Sequence, residues 1–266
     1  MSGFTVRRAQ PDDVRTEPAV QCQTFCGAHM NPTSMWSRCM TQAPELWLAQ
    51  PRNLKSSFPV LLLAMATGAV DAISFMTLGG VFTSVMTANL ALFGLAIATH
   101  DVLLAGHAAL AIIAYTCGVL LGSRVASLPG RARWSGARIA LLAEVIVMTG
   151  AMTAWAALDG KPAGTSQLVL LAAMAVCMGC QGGMIRVAGG SNLSTTYMTG
   201  ALTGALVALA VKKEVERYNI AVIAMLPTGA GLGALLVTHA RAAALALPLV
   251  LLTAALTLSF RRPVPH

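Results

Sequence analysis

Polar side chains that could bind a small solute or an ion recur in two apolar stretches of the chain. The first stretch contains Thr83-Ser84-Val85-Met86-Thr87-Ala88-Asn89-Leu90, and 112 residues later the second contains Thr195-Thr196-Tyr197-Met198-Thr199-Gly200-Ala201-Leu202. Hydroxyl and amide groups are unfavourable against lipid but can replace water around a solute. The doubled segment therefore predicts a shared internal site. Its candidate lining residues are Thr83, Thr87, Asn89, Thr195, Thr196 and Thr199.

Ionisable and amide groups in the neighbouring apolar segments add to this candidate site. Asp71 and Gln181 precede the first and second motif, respectively. A charge inside an apolar span is costly, so Asp71 either binds a proton or cation in a transport step or forms a structural hydrogen bond between helices. Glu144, which has no matching acid in the second half, is a secondary candidate. Arg186 is another: it could pair with Asp71, contact an anionic substrate or mark a cytoplasmic helix end.

Enzymatic chemistry is not expected. The sequence contains no HExxH, GxSxG or P-loop motif and no set of histidines spaced to bind a metal. We therefore expect a protein that is not an enzyme and has neither a cofactor nor a metal site. The net charge is +8, but the basic residues are not interleaved with aromatic residues, as they are in proteins that bind single-stranded nucleic acid. No nucleic-acid partner is therefore expected. The expected partners are membrane lipids and a small molecule or ion, and an oligomer is compatible with the sequence.

Composition and apolar runs predict an all-α, polytopic membrane protein. The chain has 56% hydrophobic and 11% charged residues and a mean hydropathy of +0.69, whereas soluble domains carry about 25% charged residues. The predicted domains are a polar, disordered cytoplasmic extension (1–57), a transmembrane domain (58–260) and a short cytoplasmic tail (261–266). Six segments are long enough to cross a bilayer, at 58–78, 102–123, 138–158, 166–188, 219–239 and 242–260.

The two motif segments, 81–99 and 192–211, could either span the membrane or enter and return. With eight crossings, lysines and arginines divide 12 inside and 6 outside, whereas with six crossings they divide 16 and 2. The positive-inside rule favours six transmembrane helices plus two re-entrant or broken helices, with both termini in the cytoplasm. Eight transmembrane helices are the alternative.

The order of segments then predicts an inverted repeat, with halves at 58–158 and 166–260. Gly118-x-x-x-Gly122 matches Gly229-x-x-x-Gly233, and Ala137-Arg138 matches Ala240-Arg241. Inverted repeats with interrupted helices at mid-membrane occur in many transporters.

Three stretches also carry a family resemblance: GAVDAISFMTLGGVFTSVMTANLALFGLAIA (68–98), MGCQGGMIR (178–186) and TTYMTGALT (195–203). Over about residues 58–260 the chain resembles the YoaK-like family of bacterial membrane proteins, for which no activity is established. The resemblance implies a cytoplasmic-membrane location and about six transmembrane helices. This chain has Thr87-Ala88-Asn89 where the family has Thr-Gly-Asn, although Gly200 keeps the glycine in the second copy.

These observations favour a transporter or channel for a small molecule or ion, with its site between the two re-entrant motifs. The alternative is a non-transporting membrane module that binds a partner or lipid and senses or scaffolds. A water-accessible cavity that reaches Asp71 and both threonine motifs would favour transport, and a dry packed core would favour the alternative.

Overall fold

The computed structural model describes residues 58–127, 133–189, 198–212 and 217–260, and within these ranges the regular structure is helical. Predictions for the extension 1–57, for Thr195 and Thr196 and for the tail 261–266 lie outside the described residues. The helices are α1 (Phe58–Thr77), α2 (Met86–Ala98), α3 (Val102–Ser127), α4 (Arg133–Ala157), α5 (Thr165–Gly189), α6 (Met198–Val207), α7 (Arg217–His239) and α8 (Ala246–Phe260). A π-turn at Ala208–Lys212 follows α6, and a 3₁₀ turn at Arg241–Ala243 precedes α8.

Six of the helices are long and apolar enough to cross a membrane, which confirms the prediction of a multi-pass helical protein with six long spans. They are α1, α3, α4, α5, α7 and, counted together with its preceding 3₁₀ turn, α8. The two motif segments form shorter helices of 13 residues in α2 and 10 residues in α6. At 1.5 Å per residue these reach about 20 and 15 Å, less than the roughly 30 Å of hydrocarbon.

Glycines bring the longest helices into backbone contact in two pairs. A Cβ added to Gly118 of α3 would lie 2.2 Å from the carbonyl oxygen of Val176 in α5. A Cβ added to Gly229 of α7 would lie 1.9 Å from the carbonyl oxygen of Met65 in α1. These distances exclude a side chain, so both crossings require glycine and resemble the small-residue interfaces of membrane helices.

The contacts of the two pairs match in detail. Gly122 contacts Cys180, and Gly233 contacts Ala69 at the equivalent position of the other pair. Likewise, Gly179 contacts Tyr115, and Gly68 contacts Leu226. In addition, α4 packs on α5 as α8 packs on α1. The predicted match between the two GxxxG sequences therefore corresponds to a shared packing role.

Helices α4 and α8 are joined at both ends by arginine side chains. Arg138, in the second turn of α4, donates from Nη2 to the carbonyl oxygen of Ser259 at the end of α8, at 2.9 Å. Arg241, just before α8, donates from Nε to the carbonyl oxygen of Gly160 beyond α4, at 2.8 Å, and its own carbonyl accepts from the buried Trp155 indole at 2.8 Å. A guanidinium group favours such unpaired carbonyls at helix ends, so the two Ala-Arg echoes have equivalent roles.

Candidate functional site

The first polar motif begins where the chain reverses direction after α1. Gly79 and Gly80 have φ angles of 102° and 72°, which glycine adopts without a steric penalty. A Cβ on Gly79 would lie 2.4 Å from the His107 ring of α3, so space also requires glycine there. Below the turn, Ser74 Oγ donates to the carbonyl oxygen of Val81 at 2.9 Å. The segment 78–85 is thus folded back along the last turns of α1.

Asp71 holds this segment through four hydrogen bonds. Its Oδ1 accepts from the backbone N–H of Thr83 at 2.8 Å, from Thr83 Oγ1 at 2.9 Å and from the backbone N–H of Ser84 at 2.8 Å. Its Oδ2 accepts from Ser84 Oγ. All three residues are buried, with Asp71 4% exposed. A buried carboxylate is stabilised by several donors in this way, and here the donors are the peptide groups at the break between two helices.

Asn89, in the first turns of α2, completes the loop from the other side. Its Oδ1 accepts from the N–H of Phe82 at 2.9 Å, and its Nδ2 donates to the carbonyl oxygen of Phe82 at 2.6 Å. The Phe82 ring stacks on Phe75 of α1 at a centroid distance of 4.9 Å. Asn89 thereby satisfies both backbone groups of a residue that is in neither helix, as a non-helical segment away from water requires.

The loop lies at a considerable depth along α1. Asp71 is six residues before the end of this 20-residue helix, which is about 9 Å at 1.5 Å per residue. Residues 83 and 84 are held at that level, and α2 begins immediately afterwards at Met86. The N-terminus of α2, which carries partial positive charge, therefore lies beside the interior part of a membrane-spanning helix.

A second polar cluster joins three other positions near the middle of the long helices. Thr67 of α1 lies 3.0 Å from Gln181 of α5, between Oγ1 and Oε1, and 2.8 Å from the carbonyl oxygen of Leu63. Gln181 Nε2 donates to Glu144 Oε1 of α4 at 3.0 Å. Thr67, Gln181 and Glu144 are 0%, 1% and 3% exposed. We call these three residues the central network; it links the two halves of the chain.

Glu144 is not fully satisfied in this network. Its second oxygen, Oε2, is buried and has no hydrogen-bond partner among the described residues. Cys177 and Cys180 of α5 lie near Glu144. A buried carboxyl oxygen without a donor is unfavourable, which distinguishes Glu144 from Asp71, whose two oxygens both accept hydrogen bonds.

A cleft of about 280 Å³ lies between α1, α7 and the loop. Asp71 is at its edge, and the other residues around it are small or apolar: Gly68, Ala72, Phe75, Met76, Phe82, Val85, Leu226 and Ala230. The cleft therefore reaches Asp71, but Thr83 and Thr87 are not among its lining residues.

The predicted site residues fall into several groups. Asp71, Thr83 and Asn89 surround the loop, whereas Gln181 and Glu144 meet in the central network. Thr87 and Thr199 are exposed on α2 and α6, and Arg186 is exposed near the end of α5. Thr195 and Thr196 lie outside the described residues. The structure thus brings the first motif to Asp71 and places Gln181 with Glu144 instead.

Two contributing residues, Ser84 and Thr67, were absent from the sequence prediction. Ser84 corresponds to Thr196 in the second motif, so a hydroxyl group occurs at that position in both copies. Thr67 precedes Asp71 by four residues and shares its face of α1. Both signals are present in the sequence, but each is weak without the loop geometry.

Comparisons with known proteins agree with this architecture. The family model described as "Protein of unknown function (DUF1275)" matches residues 60–258. The "UPF0700 transmembrane protein YoaK" of Bacillus subtilis (strain 168) is 30% identical over 146 residues, which cover 54% of this chain and 63% of that protein. The match therefore spans less than two thirds of the relative's length, and no solved structure matches the chain. Because the family model covers most of the chain, including α1 to α5 and the polar clusters on them, this membrane protein belongs to the DUF1275 family.

Proposed function

We propose that this protein transports a small solute or an ion across the bacterial cytoplasmic membrane. The proposal places a polar route between the loop around Asp71 and the central network. It also places both termini in the cytoplasm, and α2 and α6 as re-entrant segments that enter from opposite faces.

The observation that carries this proposal is the interruption between α1 and α2. Interrupted helices expose backbone donors and acceptors that lipid cannot satisfy, so they occur where protein, water or a ligand surrounds them. Transporters use such breaks near mid-membrane, where helix N-termini face anionic groups of the substrate. In this chain, Asp71 and Asn89 stabilise the break at a depth of about 9 Å along α1.

The repeated helix packing supports the inverted repeat in the proposal. Helices α1 and α7 cross at the same relative positions as α5 and α3. The arginine contacts at both ends of the α4–α8 pair have the same reciprocal character. Since equivalent helices of an inverted repeat have opposite directions in the membrane, the two re-entrant segments would enter from opposite faces.

Flux into proteoliposomes tests the proposal. Purified protein is reconstituted with a pH-sensitive dye inside the vesicles, a pH gradient is imposed, and alkali cations, amino acids and sugars are added in turn. We expect at least one addition to change the internal pH faster than in empty vesicles, and we expect Glu144→Gln to reduce the change. Asp159→Asn, at an exposed acid beyond α4, is the matched control. If no addition distinguishes the wild type from empty vesicles, and radiolabelled solutes of the same classes do not accumulate, the transport proposal fails.

Orientation has its own test. Single cysteines introduced into a cysteine-free variant between Arg124 and Arg138 report which side of the membrane this loop faces. We expect protection from impermeant thiol reagents in intact cells and labelling after permeabilisation. Labelling in intact cells would contradict the proposed orientation.

A lipid-binding module is the second candidate function, favoured by the cleft beside Asp71. Its lining is apolar apart from that residue, and an acyl chain would fit such a surface better than a polar solute would. Copurified phospholipid that is lost when Ala230 is replaced by Phe, without any measurable flux in wild type, would favour this second candidate.

A further inference from the structure

We propose that Glu144 is a proton-binding site, and that the Gln181 amide transmits its protonation to Thr67 on α1. The role of this site as the point where proton movement is coupled to solute movement rests on the proposed transport function. Proton binding itself does not rest on it and can be measured in the absence of any substrate.

The first observation is the unpartnered oxygen. Glu144 is 3% exposed, and only its Oε1 receives a hydrogen bond, from Gln181. Oε2 has no donor among the described residues. By comparison, Asp71 at a similar degree of burial is surrounded by four donors. A carboxylate that is to remain charged inside a helical bundle needs donors on both oxygens, and Glu144 has them on one.

The second observation is the proton count along the central network. The Thr67 hydroxyl has one proton and two acceptors within reach, namely Leu63 O at 2.8 Å and Gln181 Oε1 at 3.0 Å. Leu63 O already accepts the ordinary helical N–H bond of residue 67, so the hydroxyl is free to donate to either acceptor. This choice makes Thr67 able to follow a change in the amide beside it.

Two hydrogen-bond arrangements of the network follow from these distances. In the first, Glu144 is ionised, Gln181 Nε2 donates to Glu144 Oε1, and Thr67 donates to Gln181 Oε1. In the second, a proton taken up from water forms an O–H bond on Oε1, and the carboxyl group donates to the amide oxygen. The amide is then rotated by half a turn, so that Nε2 donates to Thr67 Oγ1 and Thr67 donates to Leu63 O.

Protonation therefore reverses the hydrogen bonds on both sides of the Gln181 amide, and the movement it requires is the rotation of that amide. Asn and Gln amides differ between such states only by exchange of oxygen and nitrogen. Thr67 lies one helical turn from Asp71, which anchors the loop before α2. The central network thus connects the protonation of Glu144 on α4 to α1, the helix that precedes the loop and α2.

The surroundings of Glu144 contain few competing charges. From α5, the titratable groups near it are Cys177 and Cys180. Helix α8, packed on the other side, carries no titratable side chain between Ala246 and Ser259. On the side of α3, Gly136 at the start of α4 contacts Val125, two turns away from Glu144. On α1 the acidic group is Asp71, whose two oxygens accept hydrogen bonds from the loop.

Infrared difference spectroscopy on the protein in lipid nanodiscs tests this proposal. Spectra recorded at low and high pH are subtracted, with glutamate labelled by ¹³C at the side-chain carboxyl so that its bands separate from those of aspartate. We expect a protonated carboxyl band of glutamate that disappears in Glu144→Gln and persists in Asp159→Asn. The absence of such a band throughout the pH range in which the protein is folded would overturn the proposal.

Gln181→Leu tests the amide relay separately. If the amide accepts the carboxyl proton, the band shifts to higher frequency in this variant because its hydrogen bond is lost. An unshifted band would overturn the relay, and Gln181→Met, which has a similar shape but no amide, provides a second variant in case the leucine side chain prevents folding. The glutamate band without any flux in proteoliposomes would support the proton site and remove the transport function. Flux without the glutamate band would support the transport function and overturn the proton site.

Discussion

The two buried carboxylates of the spanning helices have contrasting surroundings. Asp71 accepts four hydrogen bonds from a loop that follows it by 12 and 13 residues. Glu144 accepts one, from Gln181 in the other half of the chain, and keeps one oxygen without a partner among the described residues. Both side chains are buried, so depth does not distinguish them. The two side chains differ in the number and the origin of their hydrogen-bond donors. Asp71 stabilises a local fold, whereas Glu144 is the side chain that we propose binds a proton.

Replacing Asp71 by leucine should have the largest effect on stability. The substitution leaves the buried donors of Thr83 and Ser84 without an acceptor, which costs about 3 kcal/mol of unfolding free energy. Unfolding of the purified protein in mixed detergent micelles with increasing SDS measures the loss. Asp71→Asn is the matched control, because its amide oxygen keeps the Oδ1 contacts, and it should cost about 1 kcal/mol or less. Equal losses in the two variants would contradict a structural role based on hydrogen bonds.

Asn89→Leu should cost about 2 kcal/mol, because the backbone N–H and C=O of Phe82 both lose their partner. Thr87→Val, on the exposed side of the same helix, should leave the SDS unfolding midpoint unchanged. A hydrogen-exchange measurement should show the added opening at residues 82–85. If the two variants are equally stable, Asn89 does not hold the loop.

Ser84→Ala should have a smaller effect of about 0.5–1 kcal/mol, in the range measured for single side-chain hydrogen bonds within membrane proteins. Only the contact to Oδ2 is lost, since the backbone N–H of Ser84 still donates to Oδ1. In a double-mutant cycle with Asp71→Leu, the effects of the two changes should therefore be less than additive. Strict additivity would show that the serine acts elsewhere.

Glu144→Gln should leave the unfolding free energy unchanged within about 0.5 kcal/mol, because the new amide oxygen still accepts from Gln181 and no other partner is lost. The same SDS titration measures it beside Asp71→Asn. A loss of several kcal/mol would remove the distinction between a structural and an available carboxylate.

The sequence was sufficient to predict the long helices, because apolar runs of about 20 residues determine where a chain can cross hydrocarbon. The predicted segment 58–78 corresponds to α1 at Phe58–Thr77, and 219–239 corresponds to α7 at Arg217–His239. The helix ends are less accurately predicted where polar residues lie near them. Helix α4 begins at Arg133 rather than at residue 138, and the 3₁₀ turn Arg241–Ala243 precedes the start of α8 at Ala246.

The site was less predictable because its contacts depend on the fold of a short loop and on helix rotation. The contacts of Asp71 with Thr83 and Ser84 both depend on the turn at Gly79 and Gly80, which folds the segment back along α1. The pairing of Gln181 with Glu144 requires the faces that α4 and α5 present to each other, which the apolar pattern of these helices does not encode. The absence of a matching acid in the second half makes Glu144 a secondary candidate by sequence alone. In the structure, however, this unmatched acid of the first half is paired with Gln181 of the second half.

The glycine crossings have a mechanical consequence. Backbone contact at Gly68, Gly229 and Gly233 leaves α1 and α7 little room to move against each other, so we treat this pair as one rigid unit, or rod. Gly118, Gly122 and Gly179 join α3 and α5 into a second rod in the same way. Each rod therefore combines one helix from each half of the chain. The hydrogen bond between Thr67 and Gln181 spans the gap between the rods at mid-height. A tilt of one rod against the other would stretch this bond before it disturbed either crossing.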